Sequence, residues 1–177
     1  MHLVKFIEIK PITLTLLLFS ITSYSKTVDF SQIEYKNKII YEKNNTKAFT
    51  GTVVKKYKNG QKKDKSQYLN GKLNGKKTIW NKKGQKIGEC HYINNKINGK
   101  CTAWFENVEL VNNKLIKEYE TNYKDNKFHG KHTEWYKNGK KRLEYNYLKG
   151  QNHGKSTEWY EDGKKKSEVN YINGEIK

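Results

Sequence analysis

Residues 130–153 read GKHTEWYKNGKKRLEYNYLKGQNH, and residues 154–177 follow with GKSTEWYEDGKKKSEVNYINGEIK. Gly51, Gly75 and Gly99 stand at the same 24-residue interval earlier in the chain. A fixed period of this length is typical of an array of small units, each of which buries its apolar side chains against its neighbours. The period therefore predicts a repeat array instead of a single globular core, and it favours a binding scaffold over an enzyme.

The first half of a unit predicts a strand and a tight turn. In the fourth unit Thr133 and Trp135 point to one side of the predicted strand, and His132 points to the other. The dipeptide Asn138-Gly139 follows, and Asn-Gly between two alternating stretches is typical of a two-residue type I′ hairpin turn. Each unit is therefore expected to be one β-hairpin.

The second half of a unit predicts the partner strand. Leu143, Tyr145 and Tyr147 alternate with Glu144, and a loop over residues 149–153 then leads to the next unit. Consecutive hairpins of this kind pair as an antiparallel meander. The expected fold is all-β: tandem antiparallel β-hairpin repeats that form an elongated, twisted, single-sheet meander.

The same landmarks divide the chain. Residues 26–50, with Ile39-Ile40-Tyr41 as a strand, are expected to cap the first edge of the sheet. The five units are expected to occupy residues 51–74, 75–98, 99–129, 130–153 and 154–177.

Residues 1–25 differ from the repeats. Lys5 and Lys10 precede the apolar run 12–21, and the small-residue pattern Ser23-x-Ser25 follows it. This order is typical of a secretory signal peptide cleaved after Ser25, and the run is shorter than the ~20 apolar residues that span a bilayer. An uncleaved anchor or a buried strand is the alternative. The expected localisation is outside the cytoplasm: periplasm, outer envelope or secreted.

Composition and charge narrow the classes of partner. Only 34% of the residues are hydrophobic, but 13% are aromatic, and the net charge is +18. Buried aromatic side chains can replace an aliphatic core because each removes ~150–250 Å² from water. A strongly basic surface favours acidic proteins, anionic lipid headgroups or polyanionic glycans. Export argues against nucleic acid as a ligand, although aromatic rings interleaved with lysine would suit a single strand.

The aromatic residues are expected to share one face of the sheet, with Tyr68 at its start and a row of glutamates on the opposite face. This predicted binding face comprises Trp80, Trp104, Trp135, Trp159, Tyr92, Tyr123, Tyr147 and Tyr171. The glutamates are Glu89, Glu120, Glu144 and Glu168, which are expected to pair with lysines on neighbouring strands.

The third unit carries seven extra residues between Trp104 and Glu120. Apolar residues flank Asn112-Asn113 there, so an elongated hairpin that projects beyond the sheet is expected, and an insertion of this kind often marks a binding face. A tolerated hairpin extension without a binding role is equally consistent with the pattern. The apolar residues of this candidate binding hairpin are Val108, Leu110, Leu115 and Ile116.

The two cysteines, Cys90 and Cys101, lie on successive predicted strands. If the strand pairing is centred near residues 95–96, they stand opposite one another, and a cross-strand disulfide is then expected in an exported protein. Two independent thiols are the alternative. Their spacing, with only His91 nearby, is a poor zinc pattern.

No catalytic constellation is evident in the sequence. His129 and His153 occupy the loop position that Asn74 and Asn98 take in earlier units, and His132 lies on a strand without a matched acid. The glycines serve turns because no glycine-rich strand–loop–helix occurs. We therefore expect no enzymatic activity, no cofactor and no metal.

The repeated pattern G-K-x-T-x-W-Y-x-N-G-x-K-x-x-E-x-x-Y-x-x-G resembles the MORN repeat in its bacterial variant form. The matching segments are GKKTIWNKKGQKIGECHYINN (75–95), GKHTEWYKNGKKRLEYNYLKG (130–150) and GKSTEWYEDGKKKSEVNYING (154–174), and KAFTGTVVKKYKNGQ (47–61) resembles the entry motif of such arrays. The resemblance covers residues 39–177. It departs from the pattern in the first unit, which lacks Trp, and in the third, which lacks the turn Gly.

Bacterial proteins with this resemblance are commonly labelled antitoxins of the YwqK family, which implies binding to a partner toxin. Other MORN proteins are linked to membranes and to protein scaffolding. The expected function is a non-enzymatic exported scaffold that binds another protein, in an antitoxin-like manner or otherwise. The alternative is a peripheral binder of anionic membrane lipids through a basic, aromatic-rich sheet.

Overall fold

The computed structural model describes residues 26–108, 110 and 114–177. The predicted signal peptide, residues 1–25, lies outside the described residues.

The described chain consists of strands and one 3-10 helix at Phe30–Gln32. The strands are β1 (Thr27–Asp29), β2 (Ile33–Lys36), β3 (Ile39–Glu42), β4 (Gly51–Lys56), β5 (Lys62–Leu69), β6 (Lys72–Trp80), β7 (Lys86–Ile93), β8 (Lys96–Trp104), β9 (Lys117–Lys124), β10 (Lys127–Trp135), β11 (Lys141–Leu148), β12 (Gln151–Asn152), β13 (Gly154–Trp159), β14 (Lys165–Ile172) and β15 (Glu175–Ile176).

Thirteen of the described strands form one open sheet. Its order is β1-β4-β5-β6-β7-β8-β9-β10-β11-β13-β14-β15, with β12 paired to β11, and every pairing is antiparallel except β1 with β4. Strands β2 and β3 form a separate hairpin. The all-β prediction of tandem antiparallel hairpins in a single-sheet meander is confirmed, and the meander is consistent with MORN-like repeats.

The type I′ turns connect successive units, so they lie at the opposite ends of the strands from the predicted position. Asp125 and Asn126 have φ of 51° and 65°, and Lys149 and Gly150 have φ of 53° and 90°. Positive φ at both central residues defines the type I′ turn. The connection over residues 149–153, predicted as a loop, is therefore a two-residue turn that leads directly into β12.

The turn at Asn138-Gly139 is of another kind, so its prediction as type I′ was wrong. Gly139 has φ of 82°, whereas φ of Asn138 is not positive. The Gly139 N–H donates to the Tyr136 carbonyl at 2.9 Å, and the Tyr136 N–H donates to the Lys140 carbonyl at 2.8 Å. These two hydrogen bonds define a turn longer than two residues, in which the glycine has the left-handed conformation. The Asn138 amide meanwhile donates to the Glu161 carbonyl of the next turn at 3.0 Å.

Three of the glycines that open the units, Gly75, Gly99 and Gly130, lie inside strands, whereas Gly51 and Gly154 begin theirs. The pairing of β10 with β9 runs from Phe128 opposite Tyr123 to His132 opposite Thr121, so the strand gains residues relative to its partner around Gly130. Gly130 has φ of 83° there. A residue at positive φ within a ladder is typical of a β-bulge, and glycine adopts that conformation without steric cost.

Residues 26–50 cover the first part of the sheet. Strand β1 pairs in parallel with β4, and the predicted strand at Ile39-Ile40-Tyr41 is confirmed as β3. The Ile40 N–H donates to the Gly71 carbonyl at 3.0 Å, which ties the β2–β3 hairpin to the β5–β6 turn. The apolar core of the described residues lies between this cap and the sheet and comprises Val28, Ile33, Ile40, Phe49 and Val53.

The third unit does not contain longer strands than the others. Strand β8 ends at Trp104 and β9 begins at Lys117, and the Phe105 N–H donates to the Ile116 carbonyl at 3.0 Å where the hairpin closes. The extra residues therefore lie in the connection. The elongated hairpin stays a prediction, since residues 109 and 111–113 lie outside the described residues; among the described residues of 105–116, Lys114 takes part in β-pairing as a single bridge.

Candidate functional site

The strand register separates the tryptophans from the tyrosines. In the fourth unit Thr133 lies opposite Glu144, and Gly130 lies opposite Tyr147. Residues directly opposite one another share a face, so Trp135, two residues from Thr133, lies on the face of Glu144 and away from Tyr147. The expectation of one aromatic face was therefore wrong. We call the two surfaces the Trp face and the Tyr face.

The same assignment holds along the array because every unit repeats this register. The Trp face carries the four tryptophans with the four glutamates: Trp80, Trp104, Trp135, Trp159, Glu89, Glu120, Glu144 and Glu168. The Tyr face carries Tyr68, Tyr92, Tyr123, Tyr147 and Tyr171.

On the Trp face each glutamate is held between two lysines. The Nζ–Oε distances lie between 2.6 and 3.0 Å, and we call each arrangement a Glu clamp. The four Glu clamps are Lys76–Glu89–Lys86, Lys100–Glu120–Lys117, Lys131–Glu144–Lys141 and Lys155–Glu168–Lys165. The expected Glu–Lys pairs are therefore present at the same position in each of these four units.

The lysines lower the pKa of the clamped carboxyls. Partial burial acts to raise the pKa of Glu120, but hydrogen bonds and charges from Lys117 and Lys100 outweigh it, so the pKa lies below its ordinary value. The same causes lower the pKa of Glu89 and Glu144. These carboxylates are therefore ionised at neutral pH and act as fixed charges.

A buried threonine row lies between the Glu clamps. Thr102 lies between Glu89 and Glu120 in the sheet, and its hydroxyl donates to the Glu120 carboxylate at 3.4 Å. Thr102 is buried although it is polar. The aliphatic stems of lysines can cover such small side chains while their charged ends stay in water.

Three of the four tryptophans lie beneath a lysine of the preceding clamp. Lys86 Nζ lies 4.6 Å from the Trp104 ring centroid, and the corresponding distances are 5.3 Å for Lys117 over Trp135 and 5.7 Å for Lys141 over Trp159. These separations are within the ~6 Å of a cation–π contact. The indoles are thus half-buried between clamps.

The Tyr face contains a stack of three rings. Phe128 lies between Tyr123 and Tyr147 with centroid distances of 4.9 Å on each side. Sequence reasoning missed Phe128. It occupies the position of Leu73 and Ile97 in the preceding units, and that apolar position two residues before the unit glycine was the available signal.

A polar group on the Tyr face was also missed. The Glu134 carboxylate contacts the His132 ring nitrogen Nε2 at 2.9 Å and the Arg142 guanidinium. The view of His132 as a histidine without a matched acid was therefore wrong. The acid stands two residues away on the same strand, where side chains share a face.

The apolar residues of the candidate hairpin do not form one surface. Leu110 is exposed, Val108 and Leu115 are half-buried, and Ile116 is buried. Leu115 and Ile116 line a shallow groove with Trp135. These contacts attach the end of the insertion to the sheet.

Cys90 and Cys101 lie directly opposite one another in the β7–β8 pairing and are joined by a disulfide, with a Cα–Cα distance of 4.1 Å. This bond connects the second and third units. In the described part of the chain no other cysteine occurs, and no cluster of three or more His, Cys, Asp or Glu side chains is placed to hold a metal. No helix among the described residues has the length and apolar character to cross a membrane.

The sequence matches no protein-family model and no curated protein. One overlapping solved structure is a GtfA/B complex bound to UDP and GlcNAc, at 12% identity and a TM-score of 0.26 over 78% of this chain and 23% of the other. The chain thus spans under a quarter of that protein. A similarity at this level carries no argument about fold or activity.

Proposed function

We propose that the chain is a non-enzymatic, exported repeat scaffold that binds another protein through its Tyr face. The observation that carries this proposal is an apolar surface that no layer of described residues covers. Beyond the cap, Ile79, Tyr119 and Phe128 are each 37% exposed on that face, and half-buried tyrosines lie between them. Contiguous exposed apolar side chains of this kind mark protein interaction sites.

The first unit supports the same interpretation because it supplies an example of a filled site. There the cap packs Ile40 and Phe49 against Val53 and Tyr68, which belong to the Tyr face. The later units present their own tyrosines at the equivalent positions without such a layer among the described residues. A partner that lays apolar side chains on these units would repeat the contact that the cap already makes.

The bacterial MORN variant and its antitoxin-like role belong to this proposal. The 24-residue pattern and the hairpin meander support the assignment to MORN-like arrays. An antitoxin role would require that the captured partner be toxic when it is exported without this chain. Growth of cells that export the partner alone, and recovery on co-expression of this chain, would measure that property.

The test is capture from the envelope of the source cells with matched double variants. Tyr119→Ser with Phe128→Ser removes apolar area from the Tyr face, and Ile93→Ser with Ile172→Ser removes a comparable exposed area from the Trp face. We expect one protein to survive moderate salt and its capture to fall about tenfold or more only in the Tyr-face variant, since central apolar anchors dominate interfaces. If both double variants captured this protein equally well, the proposal would be contradicted.

Lipid binding is the second candidate, and the charge of the Trp face favours it. Each Glu clamp contains two lysines and one glutamate, so each carries a net positive charge beside an indole. Lysine and tryptophan together suit the interface of an anionic membrane. Sedimentation with phosphatidylglycerol vesicles, lost between low and moderate salt and unchanged by the Tyr-face variant, would support this function.

A further inference from the structure

We propose that a groove over β6, on the Trp face, binds an acidic side chain of the partner protein. This inference rests on the proposed function and names the chemistry of a second contact. The groove, which we call the β6 groove, has a volume of about 300 Å³, at the lower end of ligand clefts. Its lining residues are Lys65, Gln67, Lys76, Thr78, Trp80, Lys86 and Glu89.

The first unit departs from the others on the Trp face, where, besides lacking the Trp, it has Lys65 in the place of the clamp glutamate. Lys65 stands 24 residues before Glu89 and takes the same place in the sheet, opposite a buried threonine, Thr78. Lys62 stands three residues before Lys65, as Lys86 does before Glu89. The first unit therefore has two lysines where each following unit has a lysine and the glutamate that it binds.

The charge of these two lysines is not neutralised in the described chain. Neither Lys62 nor Lys65 forms an ion pair with a described residue, whereas the lysines of the four Glu clamps all do. The acid among the lining residues of the groove, Glu89, is already bound by Lys76 and Lys86. A carboxylate from outside would meet uncompensated positive charge here.

Trp80 departs from the pattern in the same place. No lysine of the described chain lies over its ring, while Trp104, Trp135 and Trp159 are each covered by the lysine of the preceding unit. Its indole lines the β6 groove and is half-buried. The ring therefore offers an apolar surface to the aliphatic part of an entering side chain.

The array itself indicates which carboxylate fits. In the four following units the acid is a glutamate on a β-strand, held by lysines at 2.6–3.0 Å above a threonine row and beside an indole. The β6 groove has Lys65, the threonine and the indole, and its lining acid, Glu89, is already held by Lys76 and Lys86. A glutamate or aspartate of a partner protein would complete the same arrangement.

The experiment follows the four indole N–H signals of the purified chain by NMR during titration with a ten-residue poly-L-glutamate peptide at moderate salt. We expect the Trp80 signal, assigned with Trp80→Phe, to shift and saturate while the other three move little. Lys65→Glu should weaken binding about tenfold or more, because it supplies the missing carboxylate from within the chain. Lys47→Glu, an exposed site in the cap with the same charge change, should alter it less than about twofold.

Equal effects of the two variants, or an unmoved Trp80 signal, would overturn the proposal. A galacturonate oligomer or phosphatidylglycerol vesicles that saturate the Trp80 signal more tightly than the peptide would also overturn it, since the groove would then take another acid. Lys65→Glu recreates the i, i+3 spacing of Lys86 and Glu89, so its folding is expected to match that of the natural chain. A circular dichroism melt checks this.

Partner capture separates this proposal from the one on which it rests. If Lys65→Glu captures the envelope partner as well as the natural chain does, the proposed contact with an acidic side chain is contradicted and the scaffold proposal stands. If the natural chain captures no protein while Trp80 still responds to the peptide, the scaffold proposal is wrong and the groove is a carboxylate site of another use.

Discussion

The first unit and the fourth unit have the same strands, turns and glycine positions, but they bury different side chains. In the first unit the cap places Ile40 and Phe49 over the Tyr face, with Ile40 only 1% exposed. In the fourth unit Thr133 is buried on the Trp face, while Tyr147 on the Tyr face remains half-buried. Among the described residues, one end of the array thus has a small apolar core, and the other is a single layer of sheet.

This difference shows how a chain with so few aliphatic residues can still fold. The cap supplies a local core from which pairing can spread, and each following unit adds backbone hydrogen bonds, a Glu clamp and aromatic contacts with its neighbours. Stability is therefore expected to be highest at the capped end, and the uncovered surface grows towards the other end.

The largest expected effect is the loss of a cap side chain. Ile40→Ala should cost about 2–5 kcal/mol of the free energy of unfolding, because Ile40 is buried in the only aliphatic cluster of the described residues. Leu143→Ala on the open Tyr face should cost less, since Leu143 is half-buried. Urea unfolding of both variants measures the comparison, and equal costs would show that the cap is no more tightly packed than the array.

The disulfide gives the next largest effect. Replacing Cys90 and Cys101 together by Ala should lower the free energy of unfolding by about 2–3 kcal/mol, because the bond closes a short loop of the unfolded chain. The measurement is urea unfolding under oxidising conditions. Under reducing conditions the natural chain and the double variant should unfold at similar urea concentrations, and a difference as large as before would contradict the entropic explanation.

Two matched turn glycines test the contact between cap and sheet. Gly71 and Gly150 are the second residues of equivalent turns, with φ of 73° and 90°. A Cβ at Gly71 would come within 2.2 Å of the Ile39 side chain, whereas at Gly150 the nearest atom is 3.9 Å away, on Lys127. Both alanine variants should lose about 1–2 kcal/mol for the left-handed conformation, and Gly71→Ala should lose about 1–3 kcal/mol more.

Thermal melts of the two glycine variants measure that difference. Equal losses would mean that the β2–β3 hairpin does not press on the β5–β6 turn in solution.

The smallest expected effect concerns the Glu clamps, which only the later units possess. The folded-state pKa of Glu120 lies below its ordinary value of 4.5, so its contribution to stability is complete above that pH and is lost as the pH falls through the lowered pKa. Partly exposed pairs of this kind contribute about 0.2–1 kcal/mol. Glu120→Gln should therefore destabilise the chain at pH 7 and have little effect at pH 2.

The control for this pH dependence is Glu118→Gln. Glu118 is exposed on the same strand and makes no ion pair with the described residues. Urea midpoints of both variants at the two pH values give the comparison. A loss of stability in Glu118→Gln as large as in Glu120→Gln would assign the effect to net charge instead of the clamp.

The sequence predicted the all-β class and the hairpin repeat because period and alternation are local properties. Which side chains alternate within a strand was also correct, as with Thr133 and His132. The pairing of faces between strands was wrong because it depends on register, and the register of β10 with β11 depends on the turn that joins them and on the bulge between Glu134 and Trp135. A shift of one residue exchanges the faces of a whole strand. The tryptophans therefore lie on the face opposite the tyrosines.

The candidate site was predicted only in part for the same reason. When the units are aligned at 24 residues, Lys65 is an exception, because it occupies in the first unit the position that Glu89 occupies in the second. Its significance depends on the placement of Trp80 and Thr78 beside it, which requires the register of β5 with β6. The contact between His132 and Glu134 was also missed, although side chains two residues apart on one strand share a face.

The most direct test of the account is hydroxyl-radical footprinting of the purified chain, alone and in envelope extract of its source cells. Alone, Tyr119 and Phe128 should react faster than Phe49, which is buried between the cap and the sheet. In extract we expect the reactivity of Tyr119 and Phe128 to fall and that of Ile93 and Ile172 on the Trp face to stay unchanged. Unchanged reactivity on the Tyr face, or protection confined to Ile93 and Ile172, would contradict the claim that the open Tyr face binds a protein.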